Sequence, residues 1–167
     1  RGHRFNPCHT HQKKHSIIFL NFNNMIYINN MLKCLILATF IASIIFLIID
    51  VIWLSFATKS FYRPYLGDLI AEKPVMWAAA LFYVLYVFGM AVVVIQPCID
   101  SVGLMKTIYT GFVFGLVAYG TYNLTNMAVI NGLSPTVTFV DMFWGVSLTA
   151  FSATTGLYIA KKIVHLS

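Results

Sequence analysis

Four long apolar runs leave this chain few folds to choose from. They cover about residues 35–57, 75–96, 107–130 and 137–160. A helix rises about 1.5 Å per residue and a bilayer's hydrocarbon is about 30 Å thick, so roughly 20 apolar residues suffice to cross it. Strands of a membrane barrel would alternate polar and apolar residues over about 10 positions, and these runs do not alternate. Backbone N–H and C=O groups must be satisfied within the protein when no water is present, which leaves the helix. The expected fold is an all-α four-helix transmembrane bundle running up-down-up-down.

Composition agrees, with 59% hydrophobic and 10% charged residues in 167, where a soluble domain carries about 25% charged. The net charge of +6 does not imply nucleic acid as a partner. Arg1, Arg4, Lys13 and Lys14 precede Met31, and from Met31 onward seven basic residues face five acidic ones. The expected partner is the lipid bilayer.

Residues 1–30 read as a leader with little structure, or as sequence upstream of a start at Met31, and residues 31–167 as the four-span membrane domain. The leader is not a signal peptide, because the apolar run after it is too long and no A-x-A site follows. Cys8, His9, His11 and His15 have metal-ligand side chains, but the spacings are unlike zinc pairs and no second half-site follows. No metal and no cofactor is expected. Cys34 and Cys98 show no C-x-x-C spacing and read as small apolar residues.

The connection 58–74 holds Lys59, Arg63, Asp68, Glu72 and Lys73 with the breakers Pro64 and Gly67, and Tyr62, Tyr65 and Trp77 suit an interfacial belt. The aromatics of the second run read as facing lipid or core. Asn131-Gly132 is a turn signal, and Pro135 suits a helix start. Lys33, Lys106, Lys161 and Lys162 would share one side against Lys59, Arg63 and Lys73, which favours cytoplasmic termini.

Polar residues inside the runs are the functional candidates. Counted along the helices, Asp50 lies roughly 10 Å inside the end of the first, Asn123 and Asn126 roughly 10 and 6 Å inside the end of the third, and Asp141 roughly 6 Å into the fourth. In an up-down bundle these four residues share one layer. An aspartate at mid-span costs about 2.5–3.5 kcal/mol on insertion scales, so they are expected to face each other or water, as an Asp–Asn network. Trp53, Tyr119, Tyr122, Thr125 and Trp144 are supporting candidates. Gly111-x-x-x-Gly115 and the stripe Asp141, Gly145, Leu148, Ser152, Gly156 read as packing faces, the Gly111/Gly115 face offering a route to a homo-oligomer. Acid–base catalysis by the aspartates ranks third, since no Gly-x-Gly-Asp motif and no membrane-embedded His is present. The leading reading is transport of a small solute or ion through the layer, its ligand unassigned. The rival is a non-catalytic scaffold or subunit of a larger complex.

Several of these residues form an ordered set: Asp50-x-x-Trp53-Leu54, Phe61-Tyr62-Arg63 with Leu66-Gly67, Gly115-Leu116 through Tyr119-x-Thr121-Tyr122-Asn123-Leu124-Thr125-Asn126, and Val140-Asp141-x-x-Trp144-Gly145. Over about residues 34–162 the chain resembles the bacterial membrane-protein family catalogued as domain of unknown function 2177. The resemblance implies a four-span inner-membrane protein and no stated activity. The family pattern has aspartate where this chain has Asn123, which cannot titrate, so a three-carboxylate site is not formed here.

Overall fold

The computed structural model describes residues 7–67 and 73–164, with side chains described from Asn24 onward. All of its regular structure is helical, with no strand among the described residues. Helix α1 spans Pro7–Ala57, α2 Met76–Gly89, α3 Met105–Val129 and α4 Pro135–Val164. The first helix starts at Pro7, inside the tract expected to have little structure, and residue 35 is not a break in the backbone. The side chains of Cys8, His9, His11 and His15 lie outside the described residues.

Two helices continue past their regular ends through widened turns. After Ala57 the backbone passes into a π-helical turn, Thr58–Tyr62, and a further turn, Arg63–Leu66, ending at Gly67 with φ 49°. After Gly89 it passes through a π-helical stretch, Met90–Ile95, and a tight turn, Gln96–Cys98. The cause of both lies in the sequence. Each widened stretch is followed within two residues by a proline, Pro64 or Pro97, which supplies no N–H and whose ring clashes with the carbonyl four residues back. The residue before each proline bonds five residues back instead, Arg63 N–H to the Thr58 carbonyl and Gln96 N–H to that of Ala91, the signature of a π turn. A π turn takes up one extra residue and so shifts the helix phase by about 100°.

Three helical segments are long and apolar enough to cross a membrane: Asn24–Leu66, Met76–Cys98 and Pro135–Val164. The third expected run, residues 107–130, forms helix α3, which is not among these three. Helix α3 has 25 residues, roughly 37 Å of rise, which is ample length. Its apolarity is diluted by the polar tract from Tyr119 to Asn126.

Helix α4 is the hub, packing along both α1 and α3. Its faces are made for close approach. A β-carbon on Gly111 would lie 2.9 Å from the Ala150 Cα, and one on Gly115 2.9 Å from the Val146 Cα. The Gly111/Gly115 face thus packs on α4 within the chain. On the other side of α4, Gly156 lies against Ala38 and Ala42 of α1. One apolar cluster joins Cys34, Ala38 and Ala42 to Met90, Val94 and Ile95 and to Ala153, Leu157 and Ala160. Small side chains dominate it, as expected where membrane helices gain by close van der Waals contact rather than by exclusion of water. Both Cys34 and Cys98 are free thiols buried here.

The two halves of α2 are held differently. Its Met90–Ile95 stretch packs closely on α1, α3 and α4, whereas the Met76–Gly89 half reaches its neighbours mainly through aromatic side chains. Tyr86 is buried against Phe46 and Leu148, while Trp77, Val84 and Phe88 are exposed. That looser half leaves space between α2 and the rest of the bundle, and the candidate site opens there.

Candidate functional site: two carboxylates in an aromatic network

Asp50, two turns from the regular end of α1, is buried. Its Oδ2 accepts a hydrogen bond from the Tyr83 hydroxyl at 2.8 Å, and its Oδ1 accepts one from the Trp144 Nε1 at 3.3 Å. One side chain therefore ties α1 to α2 and α4. Asp141 in the second turn of α4 is half-buried. The Tyr62 hydroxyl donates to its Oδ1 at 2.8 Å and the Asn123 Nδ2 to its Oδ2 at 2.7 Å. Asn123 also donates to the Tyr119 carbonyl one turn back, at 3.1 Å.

The two carboxylates are joined through tryptophan. Trp53 Nε1 donates to the Tyr62 hydroxyl at 3.2 Å, and the Trp53 and Trp144 rings stack with centroids 4.3 Å apart and an interplanar angle of 15°. The network thus runs Asn123, Asp141, Tyr62, Trp53, then across the ring stack to Trp144, Asp50 and Tyr83. It draws on all four helices. Each carboxylate is satisfied by two donors, which is what burial of a charged group requires.

Of the sequence candidates, Asp50, Trp53, Asn123, Asp141 and Trp144 come together. Asp50 accepts from an indole and a phenol, while only Asp141 is paired with an asparagine. Asn126 is half-buried in the same region without joining the hydrogen-bonded chain, and lines a cleft of about 280 Å³ shared with Tyr62, Asn123 and Asp141. Tyr122 is 65% exposed and forms a rim. Thr125 is exposed and outside the network.

Two members were not singled out from the sequence. Tyr62 reads as an interfacial tyrosine, yet the π turn at Thr58–Tyr62 directs it inward, where it is 8% exposed. Pro64, two residues on, is the one sequence signal for that turn. Tyr83 reads as part of an aromatic stripe; nothing in its spacing sets it apart from Phe82 or Tyr86.

A larger cavity of about 650 Å³ opens between α1, the loosely held half of α2, and α3. Asp50 and Asp141 both line it, with Trp53, Tyr83, Tyr119 and Tyr122. Among the described residues, neither this cavity nor the smaller cleft has a Lys, Arg or His in its wall. Asp141 and Tyr122 belong to both walls. Tyr119 reaches the cavity because its ring lies over Gly145, where a β-carbon would collide with the ring; the same ring meets Tyr86 edge-on at 5.8 Å. Gly145→Ala is therefore expected to displace Tyr119 and lower the melting temperature by about 2–4 °C, the shift of roughly 1 kcal/mol in a chain of this length. A Gly145→Ala protein that melts like the parent, with unchanged near-ultraviolet circular dichroism, would refute this placement of the ring.

Among the described residues, no three His, Cys, Asp or Glu side chains are grouped as a metal site would need.

Helices of this length and apolarity, with polar side chains gathered inside the bundle rather than on its surface, define a helical membrane protein. The chain belongs to the family described as "Predicted membrane protein (DUF2177)", which matches residues 35–158. The matched region contains every member of the network. No curated protein and no solved structure matches the chain.

Proposed function

We propose that this protein resides in a bacterial inner membrane and moves a small solute or ion through the cavity between Asp50 and Asp141. The single observation that carries the reading is that both carboxylates line one cavity of about 650 Å³ with no basic side chain among the described residues of its wall. Magnitudes favour function over mere fastening. Hydrogen bonds between membrane helices average about 0.6 kcal/mol each, so the two on Asp50, the more deeply placed carboxylate, return less than the roughly 2.5–3.5 kcal/mol that a mid-span aspartate costs. The difference is what a binding role explains.

The proposal includes four crossings of alternating direction. Supporting it, Gly156 meets Ala38 and Ala42 while Trp144 meets Asp50, and Gly111 meets Ala150 while Asn123 meets Asp141. In each pair, later residues of one helix face earlier residues of the other. Residues 31–167 then form the membrane domain, with 1–30 as its leader and both termini cytoplasmic, the side richer in lysine. Helix α3 crosses with Tyr119, Asn123 and Asn126 turned toward the other helices.

The test is flux in liposomes. Asp50→Asn and Asp141→Asn are each expected to reduce cation or proton flux by tenfold or more, about 1.4 kcal/mol at the rate-limiting step, with the helical content unchanged. Flux equal to the parent in both variants would remove the transport reading.

A scaffold or subunit role is the second reading, favoured by a different observation. Asp50 alone bonds to two other helices, and Asp141 bonds to α3 and to the extension of α1. On that reading the same substitutions lower thermal stability or assembly, and no flux exists to lose.

A further inference from the structure

We propose that the 650 Å³ cavity binds a lipophilic organic cation, one positive charge carried on an apolar body. This rests on the functional reading above and narrows it to a class of solute. The charge of the wall points to the sign of the ligand. Asp50 and Asp141 supply two carboxylates, and among the described residues no Lys, Arg or His compensates them within the wall. Each carboxylate accepts two hydrogen bonds, and a carboxylate offers about four acceptor positions, so both keep capacity for a cation.

The rest of the wall points to the ligand's body. A hard metal ion is held by oxygen ligands alone, and beyond the two carboxylates and three phenols the side chains of this wall are the Trp53 indole and hydrocarbon, which suit an apolar body. Trp53, Phe82, Tyr83, Tyr119 and Tyr122 supply aromatic rings, whose negative faces attract organic cations, Trp most strongly. Ala78, Ala79 and Ala118 keep the space between those rings open. The volume lies in the range of about 300–1,000 Å³ that holds drug-sized molecules. Leu54, Phe82 and Tyr122 at the rim are exposed, and Leu54 and Phe82 lie on segments long and apolar enough to cross a membrane, so a solute dissolved in the bilayer has a route to the carboxylates past them. A neutral apolar molecule of the same shape would fill the cavity but leave both charges unpaired.

The probe is tetraphenylphosphonium, added to the full chain in lipid nanodiscs and followed by equilibrium dialysis and by quenching of tryptophan fluorescence. Saturable binding is expected, with neutral triphenylphosphine oxide binding at least about tenfold more weakly. Asp50→Asn and Asp141→Asn should each weaken tetraphenylphosphonium about tenfold. Ala79→Leu, which adds three carbons to the cavity wall and leaves the carboxylates and their donors in place, should weaken binding about tenfold while the melting temperature holds. Equal affinity for the charged and neutral probes, or full affinity in the two Asn variants or in Ala79→Leu, overturns the proposal. Liposome flux separates it from the reading beneath it. Tetraphenylphosphonium binding without flux of any cation sustains the site and removes transport. Aspartate-dependent flux of sodium or protons without tetraphenylphosphonium binding overturns the organic-cation proposal and leaves the transport reading standing.

Discussion

Gly156→Val is expected to lower the melting temperature of the purified protein by about 6–12 °C. A β-carbon at Gly156 would sit 2.7 Å from the Ala38 carbonyl oxygen, 2.7 Å from the Ala42 Cβ and 2.8 Å from the Ala42 nitrogen. Two of these atoms are backbone and none can rotate aside, so α1 and α4 must separate along the small-residue cluster that holds them. Overpacking of this kind typically costs about 1–3 kcal/mol, and a clash with the backbone of α1 at two residues belongs at the upper end. Gly120→Ala is the matched control. Its added carbon would meet only the Met142 Cε, at 3.4 Å, the free end of a flexible side chain, and is expected to shift stability by no more than about 0.5 kcal/mol. Melting curves of the two variants side by side decide it. A Gly156→Val protein as stable as the Gly120→Ala control would mean that the α1–α4 contact is not as close as described.

The second large effect is expected at Asp141, and its size depends on the replacement. Asp141→Ala leaves the Tyr62 hydroxyl proton and one Asn123 amide proton without their acceptor, each an unpaired donor costing about 1–3 kcal/mol. Against this stands relief of the cost of holding a carboxylate in the bundle, which is smaller near a helix end than at mid-span. The net expectation is a loss of about 2 kcal/mol. Asp141→Asn keeps one carbonyl acceptor and removes the charge, so its expected change is less than about 1 kcal/mol. A double-mutant cycle isolates the bond itself: in a Tyr62→Phe background the penalty of Asp141→Ala should shrink by about 1 kcal/mol. Strictly additive losses would show that Tyr62 and Asp141 do not act on one another. The small effect of the Asn variants on stability is also what makes them fair tests of flux and of cation binding.

Asp50, Asn123 and Asp141 were legible as candidates because a polar side chain within an apolar run is costly wherever it lies, and that cost can be read without knowing the neighbours. Their partners were not legible. Tyr62 and Tyr83 are the donors, and tyrosine is common both at the bilayer interface and in aromatic cores, so residue type does not separate the roles. Tyr62 is turned inward by a π turn that follows from Pro64, and the change of phase escapes any pattern drawn at a constant 3.6 residues per turn. The Gly111/Gly115 stripe was readable as a packing face, but its partner, α4 of the same chain, was not, because a small-residue face accepts any helix that approaches it. Length alone made α3 look like the other apolar runs, while the cost of its polar tract sets it apart from them.

By itself the sequence determined that this is a helical membrane protein and which residues inside it carry an unpaid cost of burial. Both follow from local quantities: run length, hydropathy, and the need of every backbone N–H and C=O for a partner within the chain. Only the tertiary structure decided that Asp50 bonds to Tyr83 and Trp144, that Asp141 bonds to Tyr62 and Asn123, and that a stack of two indoles joins them beside a cavity. Those pairings depend on how far each helix is rotated and where its π turns fall. A rotation of one residue, about 100°, would have aimed the same side chains elsewhere.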